Sequence, residues 1–329
     1  MGREMKINKK IRLQGLSFRE EFEGEMIDFS NKVVYMSIIP WEFCNWSCRY
    51  CHEDRRVKEN DELSLYEIKN LIGQAKDLGI KTLLFLGGEV LLDSTWPITK
   101  EVVYEANRNG LITLIYTNAS QITEDMAKHL ADNNVSVAIK IDSLNREKYD
   151  YLTQRDGSFD RVMKSIEILK KTSIGETVYE NENERLVRLL FTTVGNASNI
   201  DEYVSLARFA TNNNARWMME ALNHRGDVIY NPELSVDPQK HSRAMKMAMF
   251  LNPEQHHDFS TACRLFSCIT IRKKGEIAVC PQDYNYLGNI RNCNLGEAVN
   301  IIYRSINEKQ WREEWAGDCP IKSKHLMTV

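Results

Sequence analysis

Short apolar runs rich in β-branched residues alternate along the chain with longer amphipathic segments. Such runs, bounded by turn-forming residues, predict buried strands, and apolar residues at helical spacing predict helices. The predicted strands span residues 33–39, 82–86, 112–117, 135–141, 187–194 and 217–222. The predicted helices between them span residues 64–78, 96–109, 123–133, 159–171 and 200–212.

Segment 64–78 illustrates the basis of the helix predictions. Ser64 followed by Glu67 has the pattern of a capping box, and Gly79 follows as a stop signal. Between them, apolar residues recur at helical spacing, namely Leu65, Ile68, Leu71, Ile72, Ala75 and Leu78.

Strands that alternate with helices predict an α/β fold with a parallel sheet and right-handed crossovers. Six such units indicate an incomplete (β/α) barrel, and a doubly wound sheet is the alternative. In either fold, function gathers at the carboxyl ends of the strands. The acidic stretch 174–186 is expected to be a solvated loop before the fifth of these strands.

Composition narrows the function classes. The chain has 329 residues, of which 43% are hydrophobic, and its net charge is −3. Nucleic-acid binding would need clustered positive charge, and the composition does not indicate it. No apolar run approaches the roughly 18 residues that span a bilayer. The first thirty residues are too charged for a signal peptide. We therefore expect a cytoplasmic protein without nucleic-acid or membrane partners.

The cysteines supply the candidate chemistry. Cys44, Cys48 and Cys51 follow the first predicted strand in a Cys-x3-Cys-x2-Cys spacing. Three thiolates can converge on a soft metal centre, and an iron–sulfur cluster held by three leaves one iron open. The other cysteines are near the chain end, at Cys263, Cys268, Cys280, Cys293 and Cys319. Because a cytosolic chain of this size rarely uses disulfides, we expect two metal sites.

Further motifs accompany the triplet. Tyr50 precedes the third cysteine, Gly87-Gly88-Glu89 ends the second strand, and Asn118 follows the third. Together, over residues 33 to 222, these resemble the radical SAM superfamily. The family's usual proline after Gly-Gly-Glu is replaced by Val90, and Ala119 stands where glycine is common.

The resemblance implies a partial (β/α)6 TIM-like barrel in which Cys44, Cys48 and Cys51 hold a 4Fe–4S cluster. S-adenosylmethionine (SAM) would chelate the open iron. Glu89 could bind the ammonium group of SAM or shape the Gly-Gly-Glu turn. The implied cofactor-binding residues are Tyr50, Gly87, Gly88, Glu89, Asn118, Lys140, Ser143, Asn196 and Glu220.

The C-terminal cysteines resemble the SPASM/twitch extension of radical SAM enzymes. A turn at Gly275 would join a hairpin of residues 269–271 and 276–279. The resemblance implies one auxiliary 4Fe–4S cluster. Its ligands would be Cys263, Cys280 and Cys319, with Cys293 or Cys268 as the fourth. The expected domains are an N-terminal extension (1–32), the barrel (33–230), and a linker helix with the auxiliary-cluster domain (231–329).

The implied reaction is reductive cleavage of SAM to a 5′-deoxyadenosyl radical, which abstracts a hydrogen from a substrate. A flavodoxin or ferredoxin would supply the electron.

For the substrate we expect a small polyol, sugar or aminocyclitol that is dehydrogenated or epimerised in natural product biosynthesis. Cys268 or Cys293 could return a hydrogen in an epimerisation. The first alternative is a maturase of a ribosomally made peptide, although the 32 residues before the first strand are short for a peptide-recognition domain. The second is a non-catalytic metal-binding protein.

Overall fold

A computed structural model of the protein describes residues 33, 35–53, 61–180, 185–252 and 268–308. In these residues the chain forms one nine-stranded sheet and a separate two-stranded sheet. The strands are β1 (Tyr35–Ile38), β2 (Thr82–Phe85), β3 (Ile112–Thr117), β4 (Ser136–Lys140), β5 (Thr177–Glu180), β6 (Arg185–Val187), β7 (Leu189–Gly195), β8 (Arg216–Ala221), β9 (Cys268–Ile271), β10 (Glu276–Ala278) and β11 (Gly288–Asn289). The helices are α1 (Leu65–Asp77), α2 (Trp96–Arg108), α3 (Glu124–Asp132), α4 (Arg146–Thr153), α5 (Ser158–Lys170), α6 (Tyr203–Asn212), α7 (Pro238–Leu251) and α8 (Leu295–Glu308).

The order of the parallel strands identifies the architecture. Strands β1, β2, β3, β4, β7 and β8 pair with one another in chain order, and every pair is parallel. A doubly wound sheet would reverse the order of these strands at a switch point, and these six strands show no reversal. The predicted partial barrel is therefore confirmed. No helix in the described ranges is long and apolar enough to cross a membrane.

The capping box predicted for α1 is also confirmed. The Ser64 backbone N–H donates to Glu67 Oε2 at 2.8 Å, and the Glu67 N–H donates to Ser64 Oγ at 3.2 Å. The apolar stripe of the helix, Ile68, Leu71, Ile72 and Ala75, is buried against the sheet. Burial of this stripe supplies most of the helix's stability, because an isolated helix of this length is marginal in water.

Two arrangements differ from the sequence prediction. The predicted C-terminal hairpin forms as β9 and β10, but β9 also pairs in parallel with β1 and so extends the barrel sheet. Residues 174–186 were predicted as a solvated loop, and this was wrong, because β5 and β6 form an antiparallel pair there. The β-branched residues Thr177 and Val178 favour a strand despite the acidic neighbourhood. The boundary at residue 230 stays a prediction, and extension 1–32 lies outside the described residues.

The loops that leave the carboxyl ends of the parallel strands meet at one edge of the sheet. They include the cysteine loop after β1, the glycine turn after β2 and the segments that follow β3, β4, β7 and β8. This edge is where the sequence predicts the site.

Candidate active site

Three thiols lie close together on the loop after β1. Cys44, Cys48 and Cys51 are each partly buried, and none of the described cysteines forms a disulfide. The Cys51 backbone N–H donates to the Cys48 carbonyl oxygen at 3.0 Å, which makes a tight turn between these two residues. Burial raises the pKa of the Cys48 thiol, and the charges of Cys44 and Cys51 raise it further. The three side chains are therefore near enough to interact electrostatically.

This donor set suits an iron–sulfur cluster. Thiolate sulfur is the soft ligand that such clusters use, and positive charge on the irons would offset the repulsion among three thiolates. The described residues contain no group of three His, Cys, Asp or Glu side chains arranged around a single metal ion. A cluster does not need one, because its cysteines bind separate irons.

The turn after β2 packs directly on the cysteine loop. The Gly88 N–H donates to the Trp41 carbonyl oxygen at 3.1 Å, and the Glu89 N–H donates to the Phe43 carbonyl oxygen at 2.8 Å. A Cβ at Gly87 would come within 2.5 Å of the Trp41 oxygen, and one at Gly88 would overlap the Phe43 carbonyl. The two glycines are thus required for close backbone packing, a role that the sequence did not suggest. Their predicted contact with SAM stays a prediction.

Glu89 ties the turn to the end of β3. Its buried carboxylate accepts hydrogen bonds from Thr117 Oγ1 at 2.6 Å, from the Asn118 N–H at 2.6 Å and from the Leu91 N–H at 2.8 Å. Burial raises its pKa, and these hydrogen bonds oppose the rise. Of the two predicted roles, shaping the turn is the one these contacts perform.

Asn118 lies beside the first cysteine. Its Nδ2 donates to Asn45 Oδ1 at 2.9 Å and lies 3.7 Å from Cys44 Sγ. Asn45 in turn donates to Ser120 Oγ at 2.9 Å. The loop after β3 therefore holds the start of the cysteine triplet.

Tyr50 connects the cysteine loop to β4. Its buried hydroxyl donates to Asp142 Oδ2, while Asp142 Oδ1 accepts from the Val194 N–H at 2.7 Å. Burial raises the pKa of Asp142 to about 6, and the charge of Lys140 opposes this shift. Asp142 was not predicted from the sequence as a site residue. Its position directly after a predicted strand was the available signal.

Lys140 and Glu220 form an ion pair on the same part of the sheet. Lys140 Nζ lies 2.9 Å from Glu220 Oε2, and both side chains are about one-fifth exposed. Burial lowers the pKa of Lys140, but the charges of Glu220 and Asp142 outweigh this and raise it overall. The structure thus brings together two residues that the sequence assigned separately to the cofactor site.

Ser143 and Asn196 are fully buried within neighbouring loops. Ser143 Oγ donates to the Glu202 carboxylate at 2.9 Å. Asn196 Oδ1 accepts from the Ser198 N–H, and its Nδ2 donates to the Val194 carbonyl oxygen, both at 2.9 Å. These contacts stabilise the loops after β4 and β7. The predicted contacts of both residues with the cofactor stay predictions.

The C-terminal cysteines that the structure describes differ in their burial and in their position relative to the sheet. Cys280 and Cys293 are partly buried in loops around the hairpin, whereas Cys263 and Cys319 lie outside the described residues. Cys268 is buried in the first position of β9, with its Sγ 3.4 Å from Ser37 Oγ. That position is at the amino end of a strand parallel to β1, opposite the edge that carries the cysteine triplet. Its predicted roles as hydrogen donor and alternative ligand stay predictions.

A buried cation joins the C-terminal hairpin to the cysteine loop. Arg272 Nη2 contacts Glu42 Oε1 at 3.1 Å and Glu53 Oε2, and Arg272 Nη1 donates to the Pro281 carbonyl oxygen at 2.9 Å. Glu42 and Glu53 flank the three cysteines in the sequence. Lys273 also contacts Glu42, at 2.7 Å. One arginine thus fixes both ends of the loop, and no local sequence signal identified it.

Comparisons with known proteins agree with this geometry. A sequence profile described as the Radical SAM superfamily matches residues 38–209. A probable GTP 3′,8-cyclase of Methanothermobacter marburgensis is 33% identical over 125 residues, which are 38% of this chain and 40% of the relative. A GTP 3′,8-cyclase of Clostridium botulinum is 31% identical over 148 residues, 44% of this chain and 45% of the relative. The chain thus matches less than half the length of either relative.

Solved structures share the fold. Streptococcus suis SuiB superimposes with a TM-score of 0.64 at 16% identity, over 84% of this chain and 68% of SuiB. Native anSMEcpe with bound AdoMet superimposes with a TM-score of 0.61 at 16% identity, over 85% of this chain and 87% of anSMEcpe. At such low identity these likenesses concern the fold alone.

Proposed function

The chain belongs to the radical SAM superfamily, and from that premise we propose that it cleaves SAM at a 4Fe–4S cluster held by Cys44, Cys48 and Cys51. The observation that carries the proposal is the three partly buried thiols on one loop, where the Cys51 backbone N–H donates to the Cys48 carbonyl oxygen at 3.0 Å. When bound, the cluster and SAM supply one electron and a 5′-deoxyadenosyl radical that takes a hydrogen atom from a substrate.

In this proposal the protein's own residues hold the site in place. Glu89 fixes the turn after β2 against β3, and Tyr50 and Asp142 anchor the cysteine loop on β4. Lys140 with Glu220 places a charged pair on the same sheet. The cofactor-binding roles predicted for these residues, for the glycine turn and for Asn118, Ser143 and Asn196 form part of the proposal.

For the substrate we propose a small molecule. In support, the relatives named GTP 3′,8-cyclase match this chain at 29–33% identity. A polyol, sugar or aminocyclitol, and a net oxidation or epimerisation, remain the more specific predictions. A precursor peptide is the second candidate, because a structure titled SuiB bound to precursor peptide SuiA shares the fold with a TM-score of 0.63.

An auxiliary cluster at the C-terminal cysteines is a further part of the proposal. Cys280 and Cys293 are the partly buried cysteines available near the hairpin. They would act with Cys263 and Cys319. Such a cluster could accept an electron from the substrate radical, with an external flavodoxin or ferredoxin as the donor for the first cluster.

Anaerobic reconstitution tests the proposal. Reduced wild-type protein is expected to bind about four irons per cluster and to convert SAM to methionine and 5′-deoxyadenosine. Cys48→Ala should lose both the iron of the first cluster and the deoxyadenosine. Iron-free, zinc-containing protein that leaves SAM intact would instead favour the non-catalytic metal-binding alternative.

A further inference from the structure

Arg225 lies in the loop after β8 with its guanidinium stacked on a tyrosine. Its Cζ is 3.4 Å from the centroid of the Tyr284 ring, and the Cζ of Arg272 is 4.2 Å from the same centroid. Two guanidinium groups therefore share one aromatic ring. Stacking on an aromatic face holds an arginine in place and leaves the N–H groups at its edge available.

The carboxylates beside Arg272 are paired with other cations. Glu42 contacts Arg272 and Lys273, and Glu53 contacts Arg272. In the described part of the chain, the Arg225 guanidinium makes no hydrogen bond or ion pair. This half-buried guanidinium therefore has no carboxylate partner among those residues.

Other stacked arginines in the described ranges contrast with Arg225. Each of them has a carboxylate neighbour, in the pairs Arg49–Glu233, Arg108–Glu105, Arg146–Asp160 and Arg272–Glu53. A half-buried guanidinium without such a neighbour is costly unless a ligand supplies the anion.

Arg225 is also held next to the cysteine loop. The following residue, Gly226, packs so closely that a Cβ there would lie 2.6 Å from the Cys51 carbonyl oxygen. The Asp227 N–H donates to that oxygen at 2.9 Å, and the Tyr284 hydroxyl donates to the His52 carbonyl oxygen at 3.1 Å. Both the arginine and its aromatic support are therefore fixed relative to the last cysteine of the triplet.

We propose that Arg225 binds an anionic group of the substrate, a carboxylate or a phosphate. The planar guanidinium matches both groups through two parallel N–H···O hydrogen bonds. The inference rests on the proposed function, because it concerns the substrate of that same site. It makes Arg225 a specificity residue that orients a small acidic molecule beside the cysteine triplet.

Calorimetric titration tests this assignment without turnover. The anaerobically reconstituted full chain is titrated with pyrophosphate and, separately, with succinate. One of them should bind, and Arg225→Gln should bind it about tenfold more weakly or worse, since a charge-assisted hydrogen bond is lost. Tighter binding of pyrophosphate identifies a phosphorylated substrate, and tighter binding of succinate a carboxylate substrate.

The matched control is Arg108→Gln, which removes an exposed arginine stacked on Tyr104 and should bind the anion like the wild type. Circular dichroism checks folding, and Arg225→Lys serves if the glutamine variant does not fold. No binding of either anion to the wild type, or equal binding by wild type and Arg225 variant, would overturn the assignment. Deoxyadenosine formation by the wild type is measured separately, so failure of SAM cleavage and failure of anion binding are distinguishable.

Discussion

Gly88 and Phe43 are packed backbone against backbone, so that any side chain at position 88 would overlap the Phe43 carbonyl group. Phe43 directly precedes the first cysteine of the triplet. The cysteine loop can therefore occupy its position only because Gly88, in the turn after β2, has no side chain.

Gly88→Ala is expected to displace the cysteine loop. The new Cβ would clash with the backbone carbonyl of Phe43, so the cysteine loop has to move. We expect stability to fall by about 2 kcal/mol or more. Iron content after reconstitution and the thermal unfolding midpoint measure the effect. Gly73→Ala is the control, since a Cβ at this α1 position meets nothing within 4 Å. It should stabilise the helix by about 0.5–1 kcal/mol. Full iron loading of the Gly88→Ala protein would contradict the prediction.

Arg272→Met should destabilise the fold strongly. Removal of the guanidinium leaves the buried Glu53 carboxylate without its arginine and leaves Glu42 with Lys273 alone, which costs about 3–5 kcal/mol. Urea unfolding of the anaerobic protein measures the loss. A triple variant that adds Glu42→Gln and Glu53→Gln should recover most of the loss, because it also removes the buried negative charges.

The control for that comparison is Arg304→Met, at an exposed position of α8, which should change stability by no more than about 0.5 kcal/mol. If the single and triple variants at Arg272 were equally unstable, the loss would come from packing rather than from unpaired charge.

Substitution of the C-terminal cysteines should distinguish those that bind the auxiliary cluster from one that is only buried in the core. Cys280→Ser and Cys293→Ser are expected to lose the iron of the auxiliary cluster, about half of the total if two 4Fe–4S clusters are present. Cys268→Ser should keep all of it, because the Cys268 thiol is buried beside Ser37 at the amino end of β9. Iron analysis with electronic absorption distinguishes the outcomes. Loss of iron in the Cys268→Ser protein would restore it as a ligand.

Acid should weaken the contact between α1 and the segment after β11. The hydrogen bond from Arg291 lowers the pKa of Glu67 from 4.5 to about 2, and burial opposes this shift. A carboxyl group whose pKa is lowered in the folded state stabilises the fold at pH values above its unfolded-state pKa. This stabilisation disappears as the pH falls from about 4.5 towards 2. Arg291→Gln should therefore cost up to about 1 kcal/mol at pH 7.

The measurement is the difference in urea midpoint between wild type and Arg291→Gln at several pH values. That difference should shrink as the pH is lowered through 4 and 3. Lys128→Gln removes an exposed pair with Asp132 and should stay within about 0.5 kcal/mol of the wild type throughout. A constant difference at every pH would show that Arg291 acts without Glu67.

Local patterns predicted local structure well. The capping box at Ser64 and Glu67 depends on neighbouring residues alone, and the cysteine spacing placed three thiols on one loop. The roles of Asp142 and Arg272 depend on contacts with residues about 90 and 220 positions away. Nothing beside either residue in the sequence records such contacts, so only the fold could identify them.

The pairing of β9 with β1 has a consequence for how the protein is made. β1 needs a neighbour on its second edge, and that neighbour, β9, is synthesised some 230 residues later, as the 231-residue separation of Ser37 and Cys268 shows. Until then an apolar strand edge is open to pairing with other chains. Contacts this distant also slow folding. The loop after β1 would therefore reach its final shape late, and iron should be inserted only after β9 has been synthesised.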